Sequence, residues 1–144
     1  EVEVLDLRDY ESPMFSLDLE AAEGQPEILK ELEAKISESS ILLIAVPEYN
    51  GFMPSFFKNT IDWLSRINKA FLNDKKIVLL STSPGGYGGK QSLEHTASIL
   101  PRFGGEVIGT YSLASFHEKV NLENGFKFTD VKEEKKLNEV LNNI

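Results

Sequence analysis

The chain has 144 residues, 41% of them hydrophobic and none cysteine, with a formal net charge of −8 and a pI near 4.8. That charge counts against nucleic acid or an anionic membrane as the main partner, since both select clustered Lys and Arg, and the lack of cysteine excludes disulfides, thiolate nucleophiles and Cys-based metal sites. The length fits a single domain over residues 1–144, at roughly 100–200 residues per domain, no apolar run approaches the ~20 residues of a membrane span, and a cytoplasmic location is expected.

Val2, Val4 and Leu7 alternate with polar residues, so Glu1–Leu7 reads as a strand. Residues 8–25 are polar and irregular, broken by Pro13 and Gly24. Pro26 suits the first position of a helix, where its missing N–H costs nothing. Ile28, Leu29, Leu32 and Ile36 then form an amphipathic stripe that Ser37–Ser40 ends. Ile41–Val46 is apolar at every position, the pattern of a parallel strand covered on both faces. A helix over about Pro54–Ile67 follows, then a second apolar strand at Ile77–Leu80. A helix over about Gln91–Phe103, kinked or ended by Pro101, leads to a weaker strand at Val107–Leu113. The last helix starts near Asp130, which has capping-box spacing to Glu133, and carries Val131, Leu137, Val140, Leu141 and Ile144 on one face. The basic run KEEKK within it is interleaved with glutamates and reads as a solvated face. This alternation of strands and helices predicts an α/β fold with a mostly parallel sheet and right-handed crossovers.

Ligands of such sheets bind beyond the carboxyl ends of the strands. Two loops are predicted there: PEYNG, residues 47–51, and STSPGGYGGK, residues 81–90. Both are poor in charge and rich in backbone N–H groups, and their glycines let a planar ligand reach the main chain. Tyr49 and Tyr87 offer flat surfaces. Turns also use Gly, Pro and Asn, but four glycines within residues 85–89 exceed what a turn requires.

Sharper motifs are absent. Gly89-Lys90 is followed by Gln91 and has Pro84 at the earlier glycine position, so it is not a P-loop. Gly86-Tyr87-Gly88 lacks the third glycine of a dinucleotide fingerprint. His95 and His117 have no partner at ligand spacing, so no metal is expected. No G-x-S-x-G elbow surrounds Ser81 or Ser83. No catalytic acid, base or nucleophile is expected among the side chains, which suggests that a bound cofactor does the chemistry. The helix after PEYNG is apolar on two sides, Phe57, Ile61 and Leu64 on one and Phe56, Thr60, Trp63 and Ile67 on the other. Such a helix is deeply buried or lies in a subunit interface, and a dimer contact is expected there.

PEYNGFMPSFFKNTIDWLSR resembles the signature of NAD(P)H-dependent FMN reductases, the group that includes quinone and chromate reductases. STSPGGYGGKQSLEH is similar to the second loop of that family, and EVEVLDLRDYESPMF to the strand after its first helix. The resemblance runs from Glu1 to about Gly109. It implies a flavodoxin-like, doubly wound three-layer fold with strand order 2-1-3-4-5 and FMN at the switch point. It implies a flavin-ring site made by Pro47, Glu48, Tyr49, Asn50 and Gly51 on one loop and Thr82, Ser83, Pro84, Gly85 and Gly86 on the other. It also implies NAD(P)H as co-substrate, a small-molecule acceptor (quinone, flavin, azo compound or metal oxyanion), and a homodimer or homotetramer. The family's phosphate-binding G-S-x-R-x-x-S-x-N loop has no match here, so the sequence reads as a piece of a longer protein that lacks the first strand and helix. The other reading is a flavin-free binding or dimerisation module on the same frame.

Overall fold

The computed structural model describes residues 2–123 and 125–144. At its centre three apolar runs form a parallel sheet in the order β1-β2-β3, with β1 at Ile41–Ala45, β2 at Lys76–Thr82 and β3 at Glu106–Leu113. Register aligns Ala45 with Leu80 and Leu80 with Tyr111, so the three carboxyl ends share one edge. Around the sheet run α1 (Leu17–Glu23), α2 (Glu27–Glu38), α3 (Ser55–Ile67), α4 (Lys90–Ile99), α5 (Phe116–Lys119) and α6 (Val131–Leu141). A short antiparallel pair, β4 (Val120–Asn121) and β5 (Lys127–Phe128), precedes α6.

Side chains divide the sheet into two faces. Leu42, Ile44, Ile77, Leu79 and Val107 join Leu29 and Leu32 of α2, Phe57, Ile61 and Leu64 of α3 and Leu93 of α4 in the main core. On the other face Leu80, Tyr111 and Leu113 pack with Leu137 and Val140 of α6. That helix covers β3 but not β1. Ile41 and Leu43 are therefore 40% and 54% exposed, and the all-apolar run is not the doubly covered strand its composition predicts. The edge of β1 opposite β2 pairs with no strand among the described residues.

The same open edge explains a second departure. Residues 2–6 form no ladder, and Val2 and Val4 are each 90% exposed; Glu1 lies outside the described residues. A strand persists only where a neighbour takes its N–H and C=O groups, and no strand among the described residues pairs with this segment. Instead Asp6 caps a 3-10 turn at Leu7–Tyr10 by accepting from the Arg8 N–H. Leu7 and Tyr10 then pack on the main core.

The predicted irregular stretch contains α1, whose first turn Ser16 caps by accepting from Leu19 N–H at 3.1 Å. This stretch covers the second apolar side of α3. Trp63 is fully buried, meets Phe15 edge-on at 5.0 Å and donates its indole N–H to Pro13 O at 2.8 Å. Asn59 accepts from Phe15 N–H at 2.8 Å and donates to Pro13 O at 3.1 Å. The apolar width of α3 is thus largely satisfied within the chain and does not by itself speak for a second subunit.

At α6, Asp130 caps as predicted, accepting from Lys132 N–H at 2.9 Å. Glu133 does not close a capping box. Its carboxylate is buried and accepts from Lys136 at 2.9 Å, Lys119 at 3.0 Å and, at 3.4 Å, the Tyr111 hydroxyl. Two lysines outweigh one backbone N–H as partners for a buried charge. They hold its carboxyl below the usual range, while burial and the same carboxylate push the Tyr111 phenol up. Val131 and Ile144, predicted for the apolar face, are 75% and 49% exposed.

Candidate functional site at the carboxyl edge of the sheet

Val46 ends the first apolar run, and the chain leaves β1 through Pro47 and Glu48 into a tight turn. Tyr49 and Phe52 exchange backbone hydrogen bonds of 2.9 and 3.1 Å across Asn50 and Gly51. Asn50 has φ 52° and Gly51 φ 76°, the two left-handed residues of a type I′ turn, where Asn-Gly is favoured. The turn spends the N–H groups of Tyr49 and Phe52. Those of Asn50 and Gly51 find no acceptor among the described residues.

Beyond β2 the chain winds through Thr82–Gly89 before entering α4 at Lys90. The Thr82 hydroxyl and the Ser83 N–H both donate to Leu113 O, at 2.8 and 3.2 Å. In return Ser115 N–H donates to Gly85 O at 2.9 Å and Phe116 N–H to Ser83 O at 3.1 Å. The loop after β3 thus forms one wall of the glycine loop, a neighbour the sequence reading did not include.

The four glycines separate into two kinds. A Cβ on Gly88 would lie 2.4 Å from the Ser112 hydroxyl and 2.8 Å from Ala114 N, and one on Gly89 would lie 2.0 Å from the Ser81 hydroxyl. Both also have positive φ, so the fold itself demands them. Gly85 and Gly86 have open space within 4 Å of where a Cβ would stand. Their N–H groups find no acceptor among the described residues, and packing gives no reason for glycine at either position.

The predicted site residues therefore meet at one edge, with different parts to play. Asn50, Gly51, Gly85 and Gly86 present bare main chain. Tyr49 is 60% exposed, and Pro84 is also exposed. Thr82 and Ser83 use their hydroxyls to shape the loop; the Ser83 hydroxyl accepts from Gly88 N–H at 2.9 Å. Pro47 and Glu48 are tied to α4: Ser92 N–H donates to the Glu48 carboxylate at 3.1 Å and the Ser92 hydroxyl to Pro47 O at 3.0 Å. Sequence reasoning missed Ser92 and Gln91, whose amide oxygen would lie 2.6 Å from a Cβ on Gly51. The available signal was a polar first turn behind Gly89, which as helix N-cap offers no side chain of its own. His95 packs its ring on Phe52 at 4.9 Å, an aromatic neighbour of the turn. Two shallow hollows of about 390 and 400 Å³ flank α6, and neither touches the loops. The edge is an open platform, with Tyr87 80% exposed beside it.

At the N-terminus of α4 the Glu48 carboxylate already takes the Ser92 N–H and would repel a phosphate there. No helix among the described residues is long and apolar enough to cross a membrane.

A family model described as NADPH-dependent FMN reductase matches residues 1–119, and the chain belongs to that family. It is 32% identical over 121 residues to an uncharacterized protein of Mycoplasma pneumoniae, the MG342 homolog, covering 81% of this chain and 72% of that protein. Over 88 residues it is 34% identical to a quinone reductase of Escherichia coli K12, covering 61% of this chain and 47% of that enzyme. The chain thus spans about half the length of the curated quinone reductase it matches. Among solved structures, FerB of Paracoccus denitrificans, a flavoenzyme NAD(P)H:(acceptor) oxidoreductase, aligns with a TM-score of 0.70 at 27% identity, over 92% of this chain and 73% of that chain. The azoreductase AzrA shares the fold, with a TM-score of 0.59 at 21% identity.

Proposed function

From membership of an FMN-dependent reductase family, we propose that this chain carries the flavin-ring site of an NAD(P)H oxidoreductase. The observation that carries the reading is the pair of bare segments, Asn50–Gly51 and Gly85–Gly86, whose N–H groups are spent on no partner among the described residues. The chemistry supplied by bound FMN is acceptance of hydride from NAD(P)H and delivery of electrons to a quinone, free flavin, azo compound or metal oxyanion. The chain's own residues would bind and orient the ring, held between Pro47–Gly51 on one loop and Thr82–Gly86 on the other. No side chain acts as acid, base or nucleophile. The protein works in the cytoplasm as a homodimer or homotetramer on a small-molecule acceptor, and the open platform is the part of the site that a second subunit and the nicotinamide cover.

A second reading, a flavin-free binding or dimerisation module, is favoured by one observation. The first turn of α4, which follows the glycine loop, spends the Ser92 N–H on the Glu48 carboxylate, so a ligand phosphate there would face a like charge. Titration of the chain with FMN, followed by flavin fluorescence, separates the two. The reductase reading expects saturable quenching, lost in Gly51→Val because a β-branched residue at φ 76° opens the turn. Quenching that survives in Gly51→Val with the fold intact sinks the site assignment. No quenching by the wild-type chain favours the module.

A further inference from the structure

We propose that Ser92 and Glu48 are positioning residues: a clasp from the first turn of α4 that sets the Pro47–Gly51 turn for its ligand. The inference rests on the flavin reading for its purpose but not for its mechanics.

Helix α4 begins at Gly89, which has no side chain with which to cap it. The first N–H groups of a helix need an acceptor. Here the acceptor comes from a different loop: the Glu48 carboxylate takes the Ser92 N–H at 3.1 Å, across 44 residues of sequence. A carboxylate at that position also meets the positive end of the helix dipole. The same residue makes a second bond in the opposite sense, its hydroxyl donating to Pro47 O at 3.0 Å. Ser92 is fully buried, so neither bond has water as a ready substitute.

Two bonds from one buried serine to consecutive residues fix both the position and the direction of the chain entering the Asn50–Gly51 turn. A third bond anchors the residue before them, with the Ser81 hydroxyl donating to Val46 O at 2.7 Å. Past the turn, by contrast, Tyr49 and Phe52 bond only each other through the backbone. The turn is therefore held at its base by Ser92 and Glu48 and carries its free N–H groups at the tip. The clasp also joins the two halves of the platform, because α4 continues directly from the glycine loop. Its geometry fixes the spacing that any ligand lying on both loops must match.

The test uses the whole chain and three variants. Amide exchange measured by NMR reports the turn without any ligand. In Ser92→Ala and Glu48→Ala, the Tyr49 and Phe52 amides exchange about tenfold faster or more, the effect expected from losing one buried or charge-assisted hydrogen bond. Val78 and Leu79 in β2 keep their wild-type rates. Glu48→Gln, whose amide oxygen still accepts from Ser92 N–H, restores slow exchange. FMN affinity falls in parallel, about tenfold in the two alanine variants, and recovers in Glu48→Gln. The proposal is overturned if Tyr49 and Phe52 exchange at wild-type rates in both alanine variants, or if β2 speeds up equally, which would make the two residues merely part of the core. If exchange responds as expected while the wild-type chain binds no FMN, the clasp is upheld and the flavin reading alone falls.

Discussion

Adding one methyl group to each glycine of the second loop divides packing from function. Gly88→Ala places that methyl 2.4 Å from the Ser112 hydroxyl, 2.8 Å from Ala114 N and 2.9 Å from the Leu113 carbonyl carbon, at φ 62°. The left-handed backbone costs about 1–2 kcal/mol for a residue with a Cβ, and forcing atoms into a packed site costs about 1–3 kcal/mol. Two of the three contacts are backbone, so relief requires moving β3 away from the loop, and a loss of about 2–4 kcal/mol follows. Gly86→Ala meets nothing within 4 Å and has no positive φ. Its stability stays within about 0.5 kcal/mol of wild type. Urea unfolding followed by Trp63 fluorescence measures both, since Trp63 is the single tryptophan and fully buried. With a urea slope of about 1–3 kcal/mol per molar, the Gly88→Ala midpoint falls by roughly 1–2 M while Gly86→Ala does not move. On the proposed flavin reading the titration reverses the ranking: Gly86→Ala, although fully folded, loses affinity because its methyl would crowd a ligand on the bare main chain. Equal urea midpoints for the two variants would refute the packing argument. Undiminished FMN binding by Gly86→Ala would refute the claim that its bare main chain serves a ligand.

Asn59→Ala removes the side chain that accepts from Phe15 N–H and donates to Pro13 O. A loss of about 1–3 kcal/mol is expected, with new proteolytic cleavage in the segment before α1, and an unchanged digestion pattern would count against that segment being held by α3. Glu133→Gln weakens the bonds from Lys136 and Lys119, costing about 1–3 kcal/mol at neutral pH. Because the folded carboxyl lies below its ordinary value of 4.5, the stabilisation is present above that pH and is lost as pH falls through the folded value. The stability difference between wild type and Glu133→Gln therefore holds steady near neutral pH and shrinks below about pH 4.5. A difference that is independent of pH would show that the charge is not what matters.

Local chemistry by itself determined the alternation of strands and helices, the Asp130 cap, the Asn50–Gly51 turn and the two loops at the strand ends. Each is a short-range matter of apolar period, capping side chain or left-handed backbone, and is legible over a few residues. The family signature in PEYNGFMPSFFKNTIDWLSR is also confined to one stretch, but it is a resemblance and does not follow from local period or capping. Tertiary structure alone decided the rest. Whether the predicted Glu1–Leu7 strand forms depends on a neighbour to take its hydrogen bonds, and residues 2–7 find none among the described strands. Whether Leu43 is buried depends on a helix above it, and α6 lies over β3 instead. On the second apolar side of α3, Trp63 is buried only because Pro13 and Phe15 lie over it, while Phe56 on the same side stays exposed. Gly85 and Gly86 cannot be told from Gly88 and Gly89 in sequence, because the difference lies in Ser81, Ser112 and Ala114 standing against the latter pair. Ser92 is an ordinary serine until the fold sets it under Pro47 and Glu48. In each case the deciding term is a contact between residues far apart in the chain, which no local pattern encodes.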